Sequence, residues 1–74
     1  MNTDPKERER LMRELKNLQA TRDQLVQSRD RERELVRHYG SDHPTAKIAE
    51  NKVRDCDEKI TRLDREISSV TSRL

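Results

Sequence analysis

Three side chains in this sequence are of types that could do chemistry: Cys56, His38 and His43. A cysteine activated by a histidine would be a nucleophile, and two histidines with a third ligand at fixed spacing would hold zinc. The spacing supports neither. Cys56 stands among apolar residues with no His or second Cys at redox or metal spacing, where a cysteine serves as a small hydrophobe. His38 and His43 flank the single glycine, which suits them to a turn and a helix cap. One glycine also rules out a glycine-rich phosphate loop. The carboxylates are spread over polar faces, with no pocket to shift their proton affinity. We expect no catalytic residue, no metal, no cofactor and no enzyme.

The arginines offer a different chemistry. Arg22, Arg29, Arg33 and Arg37 are spaced 7, 4 and 4 apart, so they share one ridge of a helix. Such a ridge either salt-bridges to acids on a neighbouring helix, with Glu50, Asp57 and Asp64 as candidates, or docks an acidic partner surface. Arg29, Arg33, Arg37, His38, Ser41, Asp42 and Lys47 are therefore the candidate partner-binding residues.

Elements able to position them are legible from periodicity. From Ala46 to Leu74 apolar or small residues recur at Ala46, Ala49, Val53, Cys56, Ile60, Leu63, Ile67, Val70 and Leu74, an unbroken alternation of steps of 3 and 4. On a helix turning once per ~3.6 residues this draws one narrow stripe, the mark of a coiled coil. Upstream, Leu11, Leu15, Leu18, Leu25, Leu35, Val36 and Tyr39 keep a similar register, interrupted at Thr21 or Arg22, Ser28 or Arg29, and Glu32. Met12 and Val26 lie beside this stripe and widen it. Asp4, Pro5 and Glu7 suit an N-cap, the first helical position and the third, the order of a capping box. Gly40-Ser41-Asp42-His43-Pro44 is the only helix-breaking cluster. Gly40 suits a left-handed residue past a helix end, and Asp42 or His43 a cap for the next helix. His43 is the favoured boundary, because the residue before proline avoids helical geometry. A turn this short between amphipathic helices makes an antiparallel hairpin.

The expected fold is thus all-α, a two-helix antiparallel coiled-coil hairpin. Residues 1–3 form a disordered tail, 4–39 helix 1, 40–43 the turn and 44–74 helix 2. Its core stripe is Leu11, Leu15, Leu18, Leu25, Leu35, Ala49, Val53, Cys56, Ile60, Leu63, Ile67 and Val70. With a turn centred near Ser41, facing residues have numbers summing to about 83. That sets Leu35 toward Ala49, Leu25 toward Ile60, Leu18 toward Ile67 and Leu15 toward Val70, with Cys56 opposite Ser28. The open end should be well packed and the middle thinner. On the outer faces, opposite charges stand four apart at Glu9/Arg13, Arg10/Glu14, Glu50/Arg54, Asp55/Lys59, Glu58/Arg62 and Arg62/Glu66, each worth roughly 0.2–0.5 kcal/mol in an isolated helix.

Composition agrees with this shape. Charged residues make up 43% of the chain, hydrophobic ones 28%, and Tyr39 is the one aromatic, too little apolar bulk for a compact globule. Basic and acidic residues number 17 and 15, interleaved, so no clustered basic face with stacking aromatics points to nucleic acid. No apolar run approaches the ~20 residues of a membrane span, the first residues lack a signal-peptide core, and one unpaired cysteine fits a reducing compartment. A cytoplasmic location follows. A two-helix core this thin barely offsets an ordering cost of ~1.5 kcal/mol per residue, so a further buried surface is expected, from self-association or a partner.

The run from Arg8 to Leu15 (Arg-Glu-Arg-Leu-Met-Arg-Glu-Leu), and Lys47-Ile48-Ala49-Glu50-Asn51 followed by Ile60, Leu63, Glu66 and Ile67, resemble the Rho-effector homology-region-one hairpin, or REM repeat. The likeness is greatest to the version in F-BAR adaptors that link small GTPases to actin assembly. There a helix ends near a Tyr, a Gly/Asp/Pro-containing turn follows, and the next helix opens on a Lys-x-Ala-Glu-like run. The protein kinase N repeats are similar too, with a Gly-Ala pair where this chain has Gln19-Ala20-Thr21. The adaptor turn has adjacent Met, Gly and Asp; here Ser41 separates Gly40 from Asp42. The resemblance spans nearly the whole chain. It implies a non-enzymatic cytosolic signalling module that binds a GTP-loaded Rho-family small GTPase, excised from a larger protein. The alternative reading is a structural coiled coil that homodimerises or joins a larger assembly.

Overall fold

The computed structural model describes residues 4–74, so the expected tail over 1–3 lies outside the described residues. Two helices, α1 (Pro5–Tyr39) and α2 (Pro44–Arg73), pack side by side into a rod of 55 × 14 × 12 Å. The fold is the expected all-α hairpin, and no described helix is long and apolar enough to cross a membrane.

Local chemistry explains each boundary. Asp4 accepts a hydrogen bond from the Lys6 backbone N–H at 3.0 Å, and Pro5 occupies the first turn, where no N–H is needed. Glu7 pairs with Arg10 at 3.7 Å. Helix α1 ends at Gly40, whose N–H donates to the Val36 carbonyl at 2.9 Å. Gly40 has the positive φ expected of it, 81°, but its ψ of 151° lies outside the left-handed helical region, in backbone space that essentially only glycine enters. The His43 N–H then closes the turn on the Gly40 carbonyl at 3.1 Å. His43, in extended geometry before Pro44, caps α2 by accepting from the Thr45 N–H through Nδ1 at 3.1 Å. Helix α2 stops at Arg73, one residue short of the expected bound, where the Leu74 N–H turns back to the Thr71 carbonyl.

The core is thin and unequal. Leu11, Ala46, Ala49, Ile60 and Val70 are buried, and Leu11 is the sole α1 member among them, at 1% exposure. The remaining stripe residues, Leu15, Leu18, Leu25, Val53, Cys56, Leu63 and Ile67, are half-buried. Leu35 corrects the expected core: it is 37% exposed, while the neighbouring Val36 is half-buried. The reason is register. Among the half-buried positions of α1, Leu15, Leu18, Arg22, Leu25, Arg29, Glu32 and Val36 form the 3-4 alternation with charged residues kept in place, with Val26 and Ser28 beside it, and it lands on Val36.

Cross-helix ion pairs fix the alignment. Arg22 meets Asp64 and Arg29 meets Asp57, pairs whose numbers add to 86; Glu32 meets Lys52, which adds to 84; the longer contact of Arg33 with Asp57, at 3.9 Å, adds to 90 and reaches along the rod rather than straight across. The register therefore centres near 85 rather than 83. It keeps Leu25 level with Ile60, Leu18 with Ile67 and Leu15 with Val70. It moves Cys56 from Ser28 to the level of Arg29, and Ala49 to the level of Val36.

Candidate partner-binding surface

The arginine ridge divides, with Arg22 and Arg29 half-buried and Arg33 and Arg37 exposed. Arg22 Nε donates to Asp64 at 2.5 Å. Arg29 reaches Asp57 at 3.2 Å and its neighbour Asp30 at 3.5 Å, with 22% of its side chain exposed. Arg33 shares the Asp57 carboxylate at 3.9 Å. These three span the interface to Asp57 and Asp64, two of the three acids named as their partners, while Arg37 turns back along its own helix to Glu34 at 3.2 Å. The hydrogen bond and charge of Asp64 raise the Arg22 pKa above its ordinary value.

The placement divides the candidate residues. Arg29 and Arg33 belong to the ion-paired edge. Arg37, His38, Ser41, Asp42 and Lys47 are exposed and gather at the turn. Three rings organise that end. Tyr39 meets His38 edge-on with centroids 4.9 Å apart, and lies against His43 at 4.7 Å with the planes tilted by 31°. The His43 ring thus caps α2 through Nδ1 and supports Tyr39 with its face, coupling the turn to both helix ends.

Sequence reading missed the apolar part of this surface. Leu35, Tyr39 and Ile48 stay exposed near the turn, Ile48 at 59%. A signal was present: Ile48 lies between Ala46 and Ala49, both stripe members, so it must point away from α1. The six expected pairs four apart on the outer faces are not closed among the described residues, whose intrahelical pairs are instead Glu7/Arg10, Glu34/Arg37 and Arg29/Asp30. Exposed pairs gain little in water and lose side-chain freedom, so the long side chains stay apart.

Chemically, the turn end offers apolar contact area ringed by cations, two imidazoles and one turn carboxylate, a surface for binding. Among the described residues no group of three or more His, Cys, Asp or Glu is placed to hold a metal ion. Compared with known proteins, the chain matches no family model, no curated protein and no solved structure.

Proposed function

We propose that this chain is a non-enzymatic protein-interaction module, an effector-type hairpin that docks a GTP-loaded Rho-family small GTPase through its turn end, in a cytoplasmic signalling role linked to actin. The observation that carries the reading is that Leu35, Tyr39 and Ile48 all stay exposed near the turn, as do the candidate residues Arg37, His38, Asp42 and Lys47. An apolar centre with a charged rim is the composition of a protein-docking patch. The choice of partner rests on the resemblance of the Arg8–Leu15 and Lys47–Asn51 runs to the REM hairpin. Because Arg22, Arg29 and Arg33 are engaged with Asp57 and Asp64, the contact is assigned to the turn rather than to the ridge.

Titration of the chain against Rho-family GTPases in both nucleotide states tests this. Binding confined to a GTP-loaded member, and weakened at least tenfold by Ile48→Asp or Arg37→Glu, is the expected result. Failure of every GTP-loaded member to bind contradicts it.

A further inference from the structure

The two long edges of the hairpin are built differently. One carries Arg22, Arg29 and Arg33 against Asp57 and Asp64. On the other, α1 presents Thr21, Ser28 and Leu35, spaced seven apart, and α2 presents Lys52, Lys59 and Glu66, also seven apart. Nearer the turn Glu32 reaches across to Lys52, but Thr21 and Ser28 are too short to cover the seam beside Leu25 and Leu63. The result is a shallow groove of about 240 Å³ lined by Thr21, Leu25, Lys59, Arg62, Leu63 and Glu66. Leu25 and Leu63, half-buried stripe residues, form its floor. Among the described residues, neither Lys59 nor Glu66 has an ion-pair partner within the hairpin.

We propose that this open edge binds a second copy of the chain, giving a two-fold symmetric four-helix bundle. The order of charges argues for the occupant. Lys59 and Glu66 stand at opposite ends of the groove with Leu63 between them. A two-fold axis perpendicular to the rod near Leu63 sets Lys59 of one copy against Glu66 of the other, and the reverse, so one symmetric contact makes two complementary pairs. Thr21 and Ser28 leave room for the close approach that helix packing needs. The bundle also covers Leu25 and Leu63, supplying the buried surface that a thin two-helix core lacks. Leu35 belongs both to this edge and to the turn-end cluster, but Lys59 and Glu66 lie well along α2 from the turn, so reversing their charges tests this association without altering the residues assigned to GTPase binding.

Sedimentation of the whole chain over about a hundredfold range of concentration, up to ~1 mM, reads the association directly. The expected result is a mass rising from the 8.8 kDa of one chain toward twice that value. Lys59→Glu and Glu66→Lys should each weaken dimerisation by roughly tenfold or more, since each sets two like-charged pairs face to face. The double swap Lys59→Glu/Glu66→Lys should restore it to within about threefold, with helical circular dichroism constant throughout. A chain that stays at the one-chain mass at every concentration overturns the proposal, as it would if the groove served a different protein. A dimer indifferent to the single reversals, or not restored by the double swap, overturns it equally.

Discussion

The edge that pairs Arg22, Arg29 and Arg33 with Asp57 and Asp64 differs from the edge lined by Thr21, Ser28, Lys59 and Glu66 in what its charges do. On the first, Arg22 and Arg29 stand within the seam itself, at stripe positions of α1, and with the exposed Arg33 reach across to acids on α2. Their aliphatic stems cover the seam while their heads remain partly in water. On the second, Thr21 and Ser28 are short, and the cross-helix ion pair is that of Glu32 with Lys52, nearer the turn. The comparison teaches that the interrupted stripe of α1 is not simply a weak core. Its arginines align the helices and bridge one side by ion pairs, while on the other Lys59 and Glu66 have no partner among the described residues.

Substitutions can break or sharpen this contrast. The largest effect belongs to the seam that both edges share. Leu11→Ala should cost about 2–5 kcal/mol, enough to leave most of a hairpin this thin unfolded in a thermal circular dichroism melt, whereas the exposed Leu35→Ala should cost about 1 kcal/mol or less. Gly40→Ala comes next. Nothing lies within 4 Å of an added Cβ, so the cost is conformational alone, about 1–3 kcal/mol in denaturant titration. Asp57→Ala on the closed edge deprives both Arg29 and Arg33 of their cross-helix partner, and we expect a loss of about 1 kcal/mol that shrinks as salt is added. Thr21→Ala on the open edge should change hairpin stability by less than ~0.5 kcal/mol, with no dependence on salt. Equal, salt-independent effects of Asp57→Ala and Thr21→Ala would erase the distinction between the edges.

Much of the fold is legible in the sequence because its signals are local. Asp4-Pro5, Gly40 and His43-Pro44 each specify a helix end through backbone chemistry that needs no knowledge of the partner helix. The stripe of α2 is legible for the same reason. Register is not local. Whether Arg22 or Thr21, and Leu35 or Val36, belongs to the stripe depends on which acid of α2 lies across from which arginine. A turn centre judged from sequence misses that alignment by about two in the sum of facing numbers, and hides that Val36 replaces Leu35. The candidate site divides along the same line. The exposed turn residues Arg37, His38, Ser41, Asp42 and Lys47 follow from turn chemistry. The inward engagement of Arg29 and Arg33 requires the position of Asp57 in space. The stacking of Tyr39 on His43 likewise depends on how tightly Gly40 folds the turn.

The central claim is that the turn end, and not the arginine ridge, is where a folded partner docks. Amide chemical-shift mapping of the labelled chain on titration with GTP-loaded Rho-family GTPases tests it most directly. The account predicts perturbations concentrated from Leu35 through Ile48, with Arg22, Arg29 and the Thr21–Leu25 groove unmoved. Perturbations centred on the ridge at Arg22 and Arg29 with a silent turn, or no perturbation by any GTP-loaded member, would contradict it.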